Sequence, residues 1–209
     1  MTTAVVPLKA PTAAKTRLAT CLSGPARGAL VAWMLARVLA TCDAAPSVDE
    51  VVLLAGDAEA AALATGRGVR VLRQTAPGLR GALREADALL SARASTLVLM
   101  ADLPWCSVAD IEDIVAAAPA GPCVVLAPTP DGGTGALLRR PGRVIPPGFG
   151  PRSAAAHAEA ARKAGVPLAI CRRWGLSRDL DTPAQLRAAC AALPELAALL
   201  GPLPSRQAS

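Results

Sequence analysis

Residues 95 to 104, S-T-L-V-L-M-A-D-L-P, constrain the chain more than any other stretch. Thr96, Leu97, Val98, Leu99 and Met100 are apolar or β-branched without alternation, the pattern of a strand covered on both faces in a mainly parallel sheet. The run stops at Asp102, and Pro104 forbids further ladder pairing. A carboxylate is therefore expected at the carboxyl edge of a sheet, where open α/β folds bind ligands. By itself, an Asp at that place serves equally well as a turn former or a helix cap.

A β-α rhythm surrounds this strand. Residues 3–7 read as a first strand, 25–42 as an amphipathic helix with Pro25 in its first turn, and 50–55 as a second buried strand. A short helix over 57–65, a strand over 69–72 and a helix over 79–92 complete the approach to the central strand. Beyond Asp102, Ser107 with Asp110 three residues on predicts a capping box for a helix ending at 118, followed by a strand over 123–127. The alternation predicts one α/β domain over residues 1–201, with a doubly wound, mainly parallel sheet flanked by helices and 202–209 as a flexible C-terminal tail.

The rhythm then changes. Asp131 to Gly133 forms a turn before a short strand over 136–139, so a small antiparallel extension is expected. The loop P-P-G-F-G-P-R-S opens a helix over 153–164, and helix N-termini favour anions. Arg152 and Ser153 sit at that N-terminus, with His157 on the same face as Ser153. After a strand over 168–171, D-L-D-T-P supplies Thr182 as a cap and Pro183 as the first helical residue, leaving Asp179 and Asp181 just ahead of a helix.

Composition narrows the partners. A net charge of +6 suits anionic ligands. With no Tyr, one Phe, three Trp and no dense basic run, no nucleic-acid platform is expected. Six cysteines never fall as C-x-x-C and there is one His, so buried free thiols are expected rather than a zinc site or a disulfide framework. Residues 29–36, the longest apolar stretch, are far too short to cross a membrane, and the N-terminus has no secretory pattern, so a cytoplasmic protein with no membrane partner is expected. Lys9, Lys15 and Arg17 follow the first strand, and this loop lacks the glycines of a P-loop. A polyphosphate would be gripped there by side chains.

A basic loop, a carboxylate ending the central strand, a second before the last helix and a glycine-rich loop opening a helix suit nucleotidyl transfer. That reaction needs a magnesium ion held by carboxylates, cations for the leaving pyrophosphate and a seat for the acceptor. If the acceptor is itself an ionised phosphate, no general base is required.

V-V-P-L-K-x5-K-T-R-L, A-D-L-P, D-G-G-T, F-G-P-R-S-x3-H and D-L-D-T-P, in this order from Val5 to about Leu186, resemble the CofC-type 2-phospho-L-lactate guanylyltransferases of deazaflavin coenzyme biosynthesis. The resemblance implies a glycosyltransferase-A-like fold, with GTP, Mg2+ and a small phosphorylated three-carbon carboxylic acid as ligands. It also implies that Asp102 and Asp181 hold metal, with Asp179 as a lesser candidate, and that Lys9, Lys15 and Arg17 lie against the triphosphate, Lys15 acting in catalysis. Thr134, Gly150 and Ser153 would bind the acceptor, with Arg152 and His157 as neighbours. The chain departs from the family where Arg80 and Gly135 stand in place of asparagines. Whether the acid is 2-phospho-L-lactate, phosphoenolpyruvate or 3-phosphoglycerate is left open, as is a homodimer. The alternatives are a molybdopterin-type or sugar-phosphate nucleotidyltransferase, whose usual G-G-x-S-x-R loop is absent, a metal-dependent glycosyltransferase, and an inactive binding protein on the same fold.

Overall fold

The computed structural model describes residues 1–11, 14–90 and 95–203. Among them, β1 (Thr2–Leu8), β2 (Glu50–Ala55), β3 (Arg70–Arg73), β4 (Ser95–Leu99), β5 (Cys123–Pro128), β6 (Thr134–Arg140) and β7 (Leu168–Ile170) form one sheet in the order β3-β2-β1-β4-β6-β5-β7. The strands without alternation feed two cores. Leu97 and Leu99 of β4 enter one and Val98 the other, as do Leu53 and Val52 of β2. Helices α1 (Gly24–Asp43), α2 (Ala58–Ala62), α4 (Val108–Ala116), α6 (Pro183–Ala192) and α7 (Pro194–Leu200) cover the first core; α3 (Gly78–Leu89) and α5 (Ser153–Lys163) cover the second. Each fully buried Leu or Val contributes roughly 1.5–3 kcal/mol, so apolar burial on both faces fixes β4 at the centre.

The expected doubly wound sheet is present, but its antiparallel part is not an extension. β6 lies inside the sheet, antiparallel to both β4 and β5, with Leu99 opposite Ala136. Two causes act together. The turn at Asp131 to Gly133 folds β6 back along β5, and Ala136, Leu137 and Leu138 are apolar toward both cores, which suits an interior position. The reversal brings the first residue of β6, Thr134, to the edge where β4 ends, and the Met100 N–H donates to the Gly135 carbonyl at 3.1 Å.

The capping signals act as the sequence implies. Ser107 with Asp110 and Thr182 with Gln185 form capping boxes, and Pro25 opens α1 behind a Ser23 cap. The helix expected over 57–65 is only Ala58–Ala62, capped by Asp57. Helix α7 was not expected. The last residues of the helix expected to reach 92, and most of the expected tail, lie outside the described residues. All six cysteines are free. No helix among the described residues is long and apolar enough to cross a membrane.

One buried ion pair fastens the second core. Arg139 of β6 donates from Nη1 and Nη2 to the two carboxylate oxygens of Asp87 on α3, at 2.8 and 2.6 Å, and from Nη1 to the Ile145 carbonyl at 3.1 Å. It ties the loop ahead of α5 to α3.

Candidate active site

Lys15 follows β1 and the loop beyond it, in a left-handed conformation with φ 55°, leading into a 3-10 turn at Thr16–Leu18 whose Leu18 is fully buried. A non-glycine residue held there stores strain, which the anchored turn sustains. Its ammonium donates to Asp102 Oδ2 at 2.6 Å and to Asp181 Oδ1. Carboxylate oxygens of Asp102, Asp179 and Asp181 all lie within 4.8 Å of one another. Segments far apart in sequence therefore meet at one point, beside the end of the central strand.

The electrostatics of this cluster are unbalanced. Burial disfavours the charge on Lys15, but the carboxylates of Asp102 and Asp181 outweigh it and hold the ammonium above the usual lysine range. Burial, and then the charges of Asp102 and Asp181, push the Asp179 carboxyl up. One ammonium cannot balance three carboxylates. The donor set is oxygen only, without thiol or imidazole, which fits a hard divalent cation such as magnesium. Arg17 is mostly exposed, with Nη1 3.9 Å from Asp181 Oδ2.

Gln185, missed in the sequence, holds the acidic segment in shape. Its Oε1 accepts from the N–H groups of Asp181 and Thr182 at 2.9 and 2.7 Å, and its Nε2 lies 3.5 Å from Asp179 Oδ1. T-P-A-Q is a capping box, so the signal was present. The 3-10 turn Trp174–Leu176 just ahead packs so closely on β6 that a Cβ on Gly135 would stand 1.8 Å from the Leu176 carbonyl oxygen. An asparagine at 135 has no room, and the close approach delivers Asp179 and Asp181 to Asp102.

Two cavities meet at Asp102. One, of about 280 Å³, is mostly apolar and is lined by Leu8, Lys9, Lys15, Met34 and Gln74 among others; the second, of about 210 Å³, is lined by Asp131, Thr134, Phe149, Gly150, Ser153 and Asp179. Leu79, Met100 and Asp102 border both. Leu79 and Met100 gave no sign of this in the sequence, because a cavity wall and a core are equally apolar.

Behind the second cavity lies a buried relay. The Gly148 N–H donates to His157 Nε2 at 2.8 Å, so the ring carries its proton on Nδ1 and donates to Thr134 Oγ1 at 3.1 Å. Ser153 Oγ donates to the same oxygen at 2.9 Å, which leaves the Thr134 hydroxyl proton free to face a ligand. Burial, and then the charges of Arg139 and Arg80, press the His157 pKa down to about 4, so the ring is neutral near pH 7. His157 is fully buried behind the cavity wall and reaches the cavity through Thr134, which lines it. Arg152 is exposed and stands at the N-cap position of α5 with φ 54° and no side-chain cap bond, outside the cavity lining. Their i to i+4 spacing with Ser153, or adjacency to it, could not tell a lining side chain from one behind or outside the wall.

Comparison with known proteins follows the same direction. Residues 2–190 match the family described as guanylyl transferase CofC like. The chain belongs to this family. It is 40% identical over 187 residues to phosphoenolpyruvate guanylyltransferase of Sphaerobacter thermophilus, covering 88% of this chain and 90% of that one, and 37% identical to the Rubrobacter xylanophilus protein of the same name, with the same coverage. Among solved structures, a nucleotidyl transferase from Methanothermobacter thermautotroptrophicus superposes with a TM-score of 0.66 at 18% identity, covering 93% of this chain and 99% of that one. 4-Diphosphocytidyl-2C-methyl-D-erythritol synthase from Anaerococcus prevotii superposes with a TM-score of 0.65 at 10% identity, covering 93% and 96%. These two likenesses concern the fold, a mainly parallel nucleotidyltransferase sheet of the glycosyltransferase-A-like kind.

Proposed function

We propose that this guanylyl transferase family member moves GMP from GTP to phosphoenolpyruvate, releasing pyrophosphate, as a step toward a deazaflavin coenzyme. The observation that carries the reading is the convergence of Asp102, Asp179, Asp181 and Lys15 where a largely apolar cavity meets one lined by hydroxyls and glycine. The names of the relatives support phosphoenolpyruvate over the other phosphorylated acids.

In this reading the apolar cavity takes the nucleoside, and Thr134, Gly150 and Ser153 seat the acceptor. An acceptor phosphate oxygen attacks the α-phosphorus of GTP. The new P–O bond forms as the bond to the bridging α,β-oxygen breaks, and pyrophosphate leaves with that oxygen's electrons. The acceptor phosphate is ionised at neutral pH, so no side chain need remove a proton, and catalysis is positioning and charge stabilisation. Lys9, Lys15 and Arg17 face the charge accumulating on the leaving group. Asp102, Asp179 and Asp181 would hold magnesium, which supplies Lewis-acid neutralisation of the triphosphate. A pyrophosphate-release assay of GTP, ATP, CTP and UTP against phosphoenolpyruvate, 2-phospho-L-lactate and 3-phosphoglycerate, with and without magnesium, tests the reading. Turnover is expected with GTP, phosphoenolpyruvate and magnesium together; no release in any combination would overturn it.

A further inference from the structure

Arg80 is an exposed residue beside the second cavity, next to its lining rather than part of it. It sits in the first turn of α3, next to Leu79, which lines that cavity. Its Nε donates to the Phe149 carbonyl at 2.5 Å, and its Nη2 lies 3.2 Å from the point where a Cβ on Gly150 would stand. Gly150, at φ 132°, has no such atom, so the guanidinium rests directly over the bare backbone of a cavity-lining residue. Among the described residues no ion pair ties Arg80 to a carboxylate. One edge of the fork is anchored to the loop, and the remaining donors have no acidic partner among the described residues.

We infer that Arg80 is a specificity-determining residue that binds the carboxylate of the acceptor acid. This rests on the proposed reading of the second cavity as the acceptor seat. A phosphorylated acid carries two anionic groups. Its phosphate must face Asp102, where it reacts, which leaves the carboxylate for the Gly150 side. A planar guanidinium matches a carboxylate through two parallel N–H donors. The preorganising bond to Phe149 lowers the cost of holding the side chain there. Removing Arg80 therefore weakens acceptor binding without touching the nucleotide cavity.

The experiment compares wild type with Arg80→Lys, Arg80→Gln and Arg80→Ala. Steady-state kinetics varies phosphoenolpyruvate and GTP separately, and calorimetry titrates phosphoenolpyruvate and inorganic phosphate into each protein. Loss of a charge-assisted contact raises KM for phosphoenolpyruvate roughly tenfold to a hundredfold in the Gln and Ala variants, with KM for GTP and kcat within about twofold of wild type. Arg80→Lys recovers part of the loss. Arg80→Gln keeps a donor for Phe149 without the charge, so a role confined to holding the loop predicts a near-normal Gln variant, which would overturn the inference. Calorimetry is expected to show weakened phosphoenolpyruvate binding and unchanged phosphate binding in the Ala variant. Equal phosphoenolpyruvate affinity in wild type and Ala overturns the assignment of Arg80. A wild type that binds phosphoenolpyruvate but releases no pyrophosphate overturns the proposed reaction and leaves the Arg80 comparison standing on binding.

Discussion

Lys15 and Arg139 are both buried cations held by carboxylates, and their surroundings differ. Arg139 is 1% exposed and meets Asp87 through two parallel contacts, so one positive group faces one negative group with no route to a ligand. Lys15 is also buried, but Asp102 and Asp181 are about a third open to solvent, Asp179 crowds beside them, and two cavities end at the cluster. A balanced, closed pair fastens α3 to the loop before α5. An unbalanced, open one retains negative charge that a divalent cation can answer. Stoichiometry and access, more than burial, separate a structural ion pair from a reactive one.

The largest effect that would break this contrast concerns the open cluster. Asp102→Ala and Asp181→Ala are each expected to lower pyrophosphate release by roughly three orders of magnitude, since they remove charge positioned for the transition state. Circular dichroism should show both variants folded; near-normal rates would remove these residues from the chemistry. At the closed pair the loss is expected in stability instead. Asp87→Leu, leaving Arg139 buried and unpaired, should cost about 3–5 kcal/mol in urea unfolding, and a Asp87→Leu/Arg139→Met double variant should regain most of it.

Lys15→Gln distinguishes the two groupings more finely. Removing the ammonium from among three carboxylates should tighten Mn2+ binding roughly tenfold by electron paramagnetic resonance titration while slowing turnover. Weaker Mn2+ binding would mean that Lys15 assembles the carboxylates rather than competing with a cation for them.

The smallest effect lies in the neutral relay between the two groupings. The folded pKa of His157, about 4, is below the ordinary 6.5, so the unfolded chain takes up the proton first. Its contribution to stability is complete above about pH 6.5 and is lost as pH falls toward 4. His157→Asn, whose amide can still donate to Thr134, should flatten this part of the stability profile in urea melts; an unchanged slope would show that His157 is not its source.

How much could be read in advance followed the range of the interaction concerned. Lack of alternation marked 96–100 as a strand buried on both faces, one residue later than the observed Ser95–Leu99, apolar runs marked 50–55 and 123–127 as strands, and Ser107 with Asp110 and Thr182 with Pro183 marked helix starts, because each signal acts within a few residues. Asp102 could be placed at a strand end, and Asp179 and Asp181 before a helix, for the same reason. Their grouping with the basic loop was read from what nucleotidyl transfer requires and from family resemblance, not from any local signal. The chain alone did not reveal that β6 lies inside the sheet, that Leu79 and Met100 are cavity wall, that His157 stands behind Thr134, or that Arg80 reaches Gly150. Those outcomes depend on which surfaces pack together after distant segments have paired, and local periodicity is blind to that. Sequence by itself determined which segments become strands or helices and which carry charge; only the tertiary structure decided which strands pair, which charges are closed off and which still face a ligand, since pairing, exposure and partner count are properties of the packed whole.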